Sequence, residues 1–538
     1  MRHVRQPMRA GLLAIMLGCA CAVIFSGDRV SNAQAPESLM HPKLNGANLP
    51  AFADGSMPGL AGGIRDAGLI DADGVMRVSH LVPASFRDNN HPWGCDCDGC
   101  DTGWIPPPCG CGDPCCDCYD PNRQSYGYGA DSNADLYWLN GLRVGYDNGF
   151  LIASRYQRDL NAENYPFQLR FNGWGQLRHT VFNSAGENID QNQFQLKRGR
   201  LLFSGVAFNP DFSYLVQLDG RSSSGDDVRL LDYYLSYDFG HGNLGLRRGE
   251  LGFRTGKYKM PFTMARWLSG KEFEFTDRSV ASMFFDVNRS FAWGLYGATR
   301  RLPLTVFWET AIFNGLVTGG AETGSTGTLD DNFAYSFRAH SYPIGCWGTG
   351  ALADFDWHER LAMRVGFGYA ANTIDRVGRT EFNTLRVIDS GQPLAEILPT
   401  SVRSYSVSLY SVDASIKYRG WSQTFEYYFR TIDGFKGADV PNLFDHGFWF
   451  QLGYFLIPKK FQIMARWSRE VGNSGTLGVK NESDDEVAGG IAWYFNENHA
   501  KGVLDLTHLN GAPIDSSSLD IMPGYRGWLM RSQIQFSF

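Results

Sequence analysis

After Phe25 the chain has no apolar run long enough to cross a bilayer as a helix, which takes about 20 residues. Any membrane location of the mature chain must therefore come from strands. A basic surplus is missing too. The net charge of −7 argues against a nucleic-acid partner, although it does not fix what a pore would prefer, because selectivity follows the charge lining the lumen. No catalytic pattern stands out either. The 11 histidines are scattered, His91, His179, His340 and His358 have no partner at a useful spacing, and no Ser/His/Asp order is visible. The expectation is a non-enzyme without a cofactor.

What is present fits many short strands. Aromatic residues make up 14% of the chain and glycine occurs 62 times, while a mean hydropathy of −0.26 suits a wall with one wet face. Alternation is clean in several segments. Leu361, Met363, Val365, Phe367 and Tyr369 oppose Ala362, Arg364, Gly366, Gly368 and Ala370; Phe461, Ile463, Ala465 and Trp467 oppose Gln462, Met464, Arg466 and Ser468.

The N-terminal third reads differently. Arg2, Arg5 and Arg9 precede an apolar run over 10–25, and Ala33-Gln34-Ala35 supplies a small-x-small pattern, so 1–35 reads as a secretory signal peptide, with lipidation at Cys19 the lesser alternative. Residues 36–94, rich in Gly, Pro, Ala and Asp without a sustained period, read as a disordered periplasmic arm. Cys95, Cys97, Cys100, Cys109, Cys111, Cys115, Cys116 and Cys118 then crowd into 95–118, interleaved with aspartates. In an oxidising compartment disulfides are the first expectation, and eight cysteines allow on the order of 100 pairings. A thiolate metal cage is the alternative, although adjacent Cys115 and Cys116 do not match a zinc finger. Residues 119–164 form a linker that includes possible first strands.

From 165 to 538 the texture is that of an all-β chain. Sixteen strands are expected, at 167–182, 193–208, 212–219, 228–239, 246–258, 291–299, 303–313, 333–341, 361–372, 404–418, 422–431, 447–456, 461–469, 486–494, 503–507 and 528–538, with 139–146 and 150–154 as extras. Short links such as Arg300-Arg301-Leu302 and Arg419-Gly420 trade places with long ones at 259–290 and 373–403, as short periplasmic turns and long outer loops do. This predicts a transmembrane antiparallel β-barrel of about 16 strands, wide enough for a water-filled channel. Two details stand out. The phase of 404–418 switches near Leu409-Tyr410, which predicts a bulge, and the link at 341–360 is too long for a tight turn.

The last segment, with Trp528, Met530, Ile534, Phe536 and Phe538 on one face and Arg531, Gln533, Gln535 and Ser537 on the other, resembles the closing strand of bacterial outer-membrane barrels. Phe194-Gln195-Leu196-Lys197-Arg198-Gly199-Arg200-Leu201 is similar to a signature of the phosphate-selective porin family. Phe212-Ser213-Tyr214-Leu215-Val216-Gln217-Leu218-Asp219, Leu231-Asp232-Tyr233-Tyr234-Leu235-Ser236-Tyr237 and Gly256-Lys257-Tyr258-Lys259-Met260-Pro261-Phe262 follow in the family's order. The resemblance covers about 139–538. It implies a passive, usually trimeric channel in the bacterial outer membrane for phosphate or polyphosphate, with a basic constriction shaped by an inward loop, here 259–290.

The residues themselves supply an anion pathway. Arginine forks can replace water around an oxyanion by paired hydrogen bonds, and lysines act as point charges. Alternation puts Arg170, Arg178, Arg364, Arg466 and Arg531 on polar faces, along with Lys417. Lys197, Arg198 and Arg200 cannot share a face in a regular strand, so one points outward or a bulge intervenes. Lys257 and Lys259 flank the loop junction. Asp219 and Asp413 also line the wall. The expected partners are small anions, membrane lipid, two further copies of the chain and the cell wall through the Cys-rich arm. A general or oligosaccharide pore, or a structural tether between membrane and wall, remains the alternative.

Overall fold

The computed structural model describes residues 137–538, apart from 140–141, 147–148, 155–166, 187–189, 222–226, 300–303, 321–328, 349, 378, 474–476, 478–482 and 517–518. The signal peptide, the arm and the Cys-rich segment read from the sequence lie outside the described residues.

Sixteen antiparallel strands close into a barrel. They are β4 (Gln168–Ser184), β5 (Gln191–Ala207), β6 (Asn209–Arg221), β7 (Asp227–Tyr237), β8 (Leu251–Lys259), β9 (Arg289–Thr299), β10 (Val306–Asn314), β11 (Phe333–Ile344), β12 (Ala362–Asp375), β13 (Ser404–Tyr418), β14 (Trp421–Lys436), β15 (Leu443–Ile457), β16 (Phe461–Val471), β17 (Ser483–Asn496), β18 (Ala500–Asn510) and β19 (Arg526–Ser537). Each pairs with the next, and β19 returns to β4 from Gly527↔Ser184 to Ser537↔Trp174. Closure leaves no free edge, which is what lets strands span a membrane. Large apolar side chains point outward and stay exposed, among them Phe194, Trp293, Tyr335, Phe425, Ile463 and Ile534. Among the described residues no helix is long and apolar enough to cross a membrane.

The extras expected at 139–146 and 150–154 form a small annex. Strands β1 (Tyr137–Leu139), β2 (Leu142–Tyr146) and β3 (Phe150–Ser154) pair in sequence, and β3 joins β4 from Phe150↔Phe171 to Ala153↔Gln168, just beyond where β19 stops. Phe538 exchanges main-chain hydrogen bonds of 3.0 and 3.1 Å with Gly173. Its ring lies 6.1 Å from Phe150 and 5.8 Å from Phe171, so the annex covers the C-terminal aromatic.

Several boundaries differ from the sequence reading for local reasons. The strand expected from 246 starts at Leu251, because the short helix α1 (Phe239–Leu244) precedes it, capped by Asp238 and ended by Gly245 at φ +66°. No bulge occurs at Leu409-Tyr410: β13 keeps register with β12 and β14 throughout that stretch. One face of β13 instead changes what it meets. Tyr405, Val407 and Leu409 point inward at one end, where Tyr405 packs 5.0 Å from Phe382 of the loop 376–403, and Ser411, Asp413, Ser415 and Lys417 continue the same inward face.

The long link 345–361 folds into the barrel from the C-terminal rim. Trp347 and Phe355 are buried, with Phe355 5.5 Å from Phe455 and 4.9 Å from Tyr494. His358 pins it, its ring nitrogens meeting Asp354 and, at 2.8 Å, the Cys346 carbonyl. Asp354 also accepts the Gly420 amide at 2.9 Å, fixing the link to the Arg419-Gly420 turn.

Candidate constriction site

Residues 260–288 between β8 and β9 fold into the lumen, where the sequence placed the inward loop. Two short helices shape the loop, α2 (Met264–Trp267) capped by Thr263 and α3 (Val280–Phe285) capped by Ser279. Wall carboxylates bind the amides that these helices leave open. Glu426 of β14 accepts from Met264 N at 2.7 Å and Ala265 N at 3.1 Å, and Glu486 of β17 accepts from Val280 N at 2.7 Å. Asp505 of β18 accepts from the amide and hydroxyl of Thr276. Phe285 stacks 5.4 Å from Tyr428, and Met283 and Phe284 are buried beside it. Each such side chain contributes roughly 2 kcal/mol by leaving water. The loop is thereby fixed against β13–β18.

That half of the lumen is filled. The apolar residues of the inner loop and the far-rim loops, including Phe382, Leu385 and Ile521, make one cluster, while Phe275 joins the 345–361 link in a second. Two cavities beside the loop, one lined by Asp277, Ser282 and Arg466 and the other by Arg278, Glu486 and Leu519, hold about 10 Å³ each, room for one water.

A bulge resolves the conflict among Lys197, Arg198 and Arg200. Gln176 pairs with Arg198 but Leu177 pairs with Leu196, so Lys197 is the extra residue and all three basic side chains turn inward. None is an uncompensated charge. Lys197 bonds Asp520; Arg198 takes both oxygens of Asp277 at 3.0 Å, and Arg200 reaches Asp219 at 2.8 Å. Arg178 sits against the same Asp277 at 3.0 Å and Asp520 at 3.3 Å, and donates to Gln533. Burial pushes the Asp520 carboxyl up, but Lys197 and Arg178 more than offset that and hold it below the usual range.

The other expected cations divide by position. Arg466 pairs with Glu486 and donates to the Asp277 carbonyl at 2.8 Å; Arg531 pairs with Asp505 at 2.9 Å; Arg364 lies 3.5 Å from Asp413. Lys259 donates to the carbonyls of Trp267 and Leu268 at 3.3 and 2.9 Å. Arg170 is buried on the inner face of β4 near the C-terminal rim. Lys257 does not enter the lumen. It lies in register between Tyr233 and Phe291, whose rings meet at 5.5 Å, a row that alternation turns outward.

Charges that keep access lie on the opposite flank. Arg200 and Arg229 share Asp219, and the Arg229 side chain is 37% exposed where Arg178 is 0% exposed. Lys259 and Trp267 are part-exposed. Arg289 forks onto Asp232 at 2.7 and 3.1 Å beside them. Arg229, Glu426 and Glu486 were missed by the sequence reading, and Arg289 entered it only within the family resemblance. The signal for Glu426 and Glu486 is their inward position, since a carboxylate facing a filled lumen needs a donor.

No family model matches the chain, and no curated protein matches it. Among solved structures, in-vitro folded OmpT, an outer membrane protein of Vibrio cholerae, is 9% identical with a TM-score of 0.43, over 71% of this chain and 100% of that one. The outer membrane channel DcaP of Acinetobacter baumannii is 10% identical with a TM-score of 0.43, over 69% and 97%. The anion-selective porin from Comamonas acidovorans is 8% identical with a TM-score of 0.42, over 69% and 99%. Identities at this level carry no information on solute or assembly.

Proposed function

We propose that the chain is a porin of the bacterial outer membrane that passes small anionic solutes, phosphate or polyphosphate among them, by passive diffusion. One observation carries the reading. The inner loop is fixed to β13–β18 and, through Asp277, to Arg178 of β4 and Arg198 of β5, and the charged groups that keep solvent access on the remaining flank include Arg200, Arg229 and Lys259, with Asp219 between the first two, and Arg254 with Glu309. Solutes would pass between the loop and β6–β8, exchanging water for several weak contacts. The motif order from Phe194 to Phe262 supports a phosphate-porin kinship and a homotrimer, and the secretory signal read at 1–35 supports an N-terminal arm in the periplasm.

Reversal potential under a chloride gradient, with phosphate titrated as a blocker, tests this on the refolded chain in planar bilayers. Anion preference with saturable phosphate block is the expected result; weak selectivity without block would leave a general pore. The packing of the β13–β18 half also favours a second reading, a structural tether, and a barrel that folds but never conducts would support it.

A further inference from the structure

At the far rim a buried carboxyl meets another carboxyl instead of a donor. Glu381, on the short helix α4 (Arg379–Thr384) of the loop 376–403, is 0% exposed, and neither of its carboxyl oxygens has a hydrogen-bond partner among the described residues. Gly315, at φ +57°, closes one side, since a Cβ there would lie 1.7 Å from Glu381 Oε1. On another side the carboxyl of Asp330 is within hydrogen-bonding reach. Asp330 is itself held in place, accepting from the amides of Asn332 at 2.8 Å and Asp375 at 2.7 Å.

Two ionised carboxylates this close in a dry place repel, and one stays protonated unless a cation sits between them. The charged and titratable side chains around the pair supply none. Asp375 of β12 adds a third carboxylate, which accepts from Asn332 Nδ2 at 3.0 Å, and Asp331 is exposed. Tyr405 of β13 donates to the Phe382 carbonyl at 3.3 Å. Arg376 is taken by the carbonyls of Thr400 and Val402, Arg386 by that of Gly391, and Arg430 of β14 by Asp445. Burial and Asp330 together push the Glu381 carboxyl up to about 8, so it keeps its proton at neutral pH.

The segment 315–320, against which Glu381 lies, also holds the inner loop. Gly319 donates its amide to the Phe284 carbonyl at 3.3 Å, and Asn288 Nδ2 donates to the Gly320 carbonyl at 2.7 Å. Leu316 is buried in the same apolar cluster as Met283 and Phe284 of the inner loop and Leu385 and Leu394 of the far-rim loop. The far-rim loop is thus joined to the constriction through 315–320.

We propose that Glu381 and Asp330 share one proton and form a pH-operated latch, which when protonated holds 379–403 against 315–320 and the inner loop in place, and when ionised releases both and widens the passage. The proton leaves to water, and repulsion between the two carboxylates drives Glu381 out to solvent. The folded value lies above the ordinary 4.5, so the hold is full in acid and is lost as pH rises through about 8. The latch rests on the anion-passage reading only for its effect on current.

Single-channel conductance of the full refolded chain in planar bilayers, stepped from about pH 6 to about pH 9 across the titration range, tests the latch. The wild type should show a wider open level whose occupancy grows about tenfold per pH unit until it saturates. Glu381→Gln, whose amide donates to Asp330 at every pH, should stay at the narrow level. Levels in the wild type that ignore pH, or that follow pH equally in the variant, would overturn the latch. Hydrogen exchange over 315–320 and 379–403 reads the latch without any current, taken as the ratio of wild type to Glu381→Gln at each pH so that the intrinsic pH dependence cancels. That ratio should rise with pH in both segments, and a flat ratio overturns the latch. The two readings fail separately: a conducting barrel with a flat ratio removes the latch alone, and a rising ratio in a barrel that never conducts removes the passage alone.

Discussion

The two halves of the lumen are built from the same residue types to different ends. On the β13–β18 side, wall carboxylates bind loop amides and guanidiniums, and aromatic side chains fill the space between them. On the β5–β8 side the ion pairs run mostly within the wall, as Arg200 and Arg229 do with Asp219, and keep an edge toward solvent. A lumenal arginine is therefore structural or solute-facing according to which half of the lumen it faces, not according to where its carboxylate comes from. Arg466 and Arg531 pair with Glu486 and Asp505 of adjacent strands and are each 2% exposed, whereas Arg229, which also pairs with an adjacent strand, is 37% exposed.

The strongest way to break this comparison is Asp277→Ala. Asp277 meets both Arg198 and Arg178, and removing it takes the carboxylate from buried Arg198 and leaves Arg178 with Asp520 alone, a loss expected at about 3–5 kcal/mol. Urea unfolding of the refolded barrel should show it; a loss under about 1 kcal/mol would mean that water reaches these groups. Phe285→Ala comes next. Deleting a buried ring that stacks on Tyr428 should cost about 3 kcal/mol and loosen the loop, so that single-channel conductance rises with noisier open levels.

On the other flank the expected effect moves from stability to selectivity. Arg200→Gln with Arg229→Gln should shift the reversal potential toward cation preference, while the exposed Arg229 pair contributes no more than about 1 kcal/mol to stability. Lys257→Gln serves as the control that leaves selectivity unchanged, since Lys257 faces outward.

The smallest effect concerns pH at the far rim. In the loop 376–403, burial and the neighbouring Asp330 push the Glu381 carboxyl up to about 8. A carboxyl raised above its unfolded value of about 4.5 favours the fold when protonated. Its contribution is full below that value and is lost as pH rises toward and through about 8. Protease cleavage of this loop should increase between pH 6 and pH 9, on the order of the titration range, and Glu381→Gln should remove most of the increase.

Much of the wall was legible beforehand. All sixteen expected strands appear in order, and β13 matches its expected span, because inside–outside alternation repeats every two residues and needs no knowledge of a partner. The inward loop was legible from its length and position. The Lys197 conflict announced a bulge without locating it. His340 and His358 looked unconnected because their neighbours come from elsewhere: Trp267 belongs to the inner loop, and Cys346 and Asp354 come together only when 345–361 folds back into the barrel. The phase switch in β13 misled for a related reason. Apolar residues faced a lumen that the sequence suggested was wet, and the loop 376–403 makes that end dry.

The sequence by itself determined a closed wall of sixteen alternating strands, its outward apolar face and the loop that turns inward, since each follows from local period and link length. Only the tertiary structure decided which basic residues are neutralised and which half of the lumen is filled. Lys197 and Asp520 are separated by 323 positions, and Glu426 lies 162 from the amide it binds. Pairing at such separations is set by barrel closure and loop descent, for which no local pattern exists.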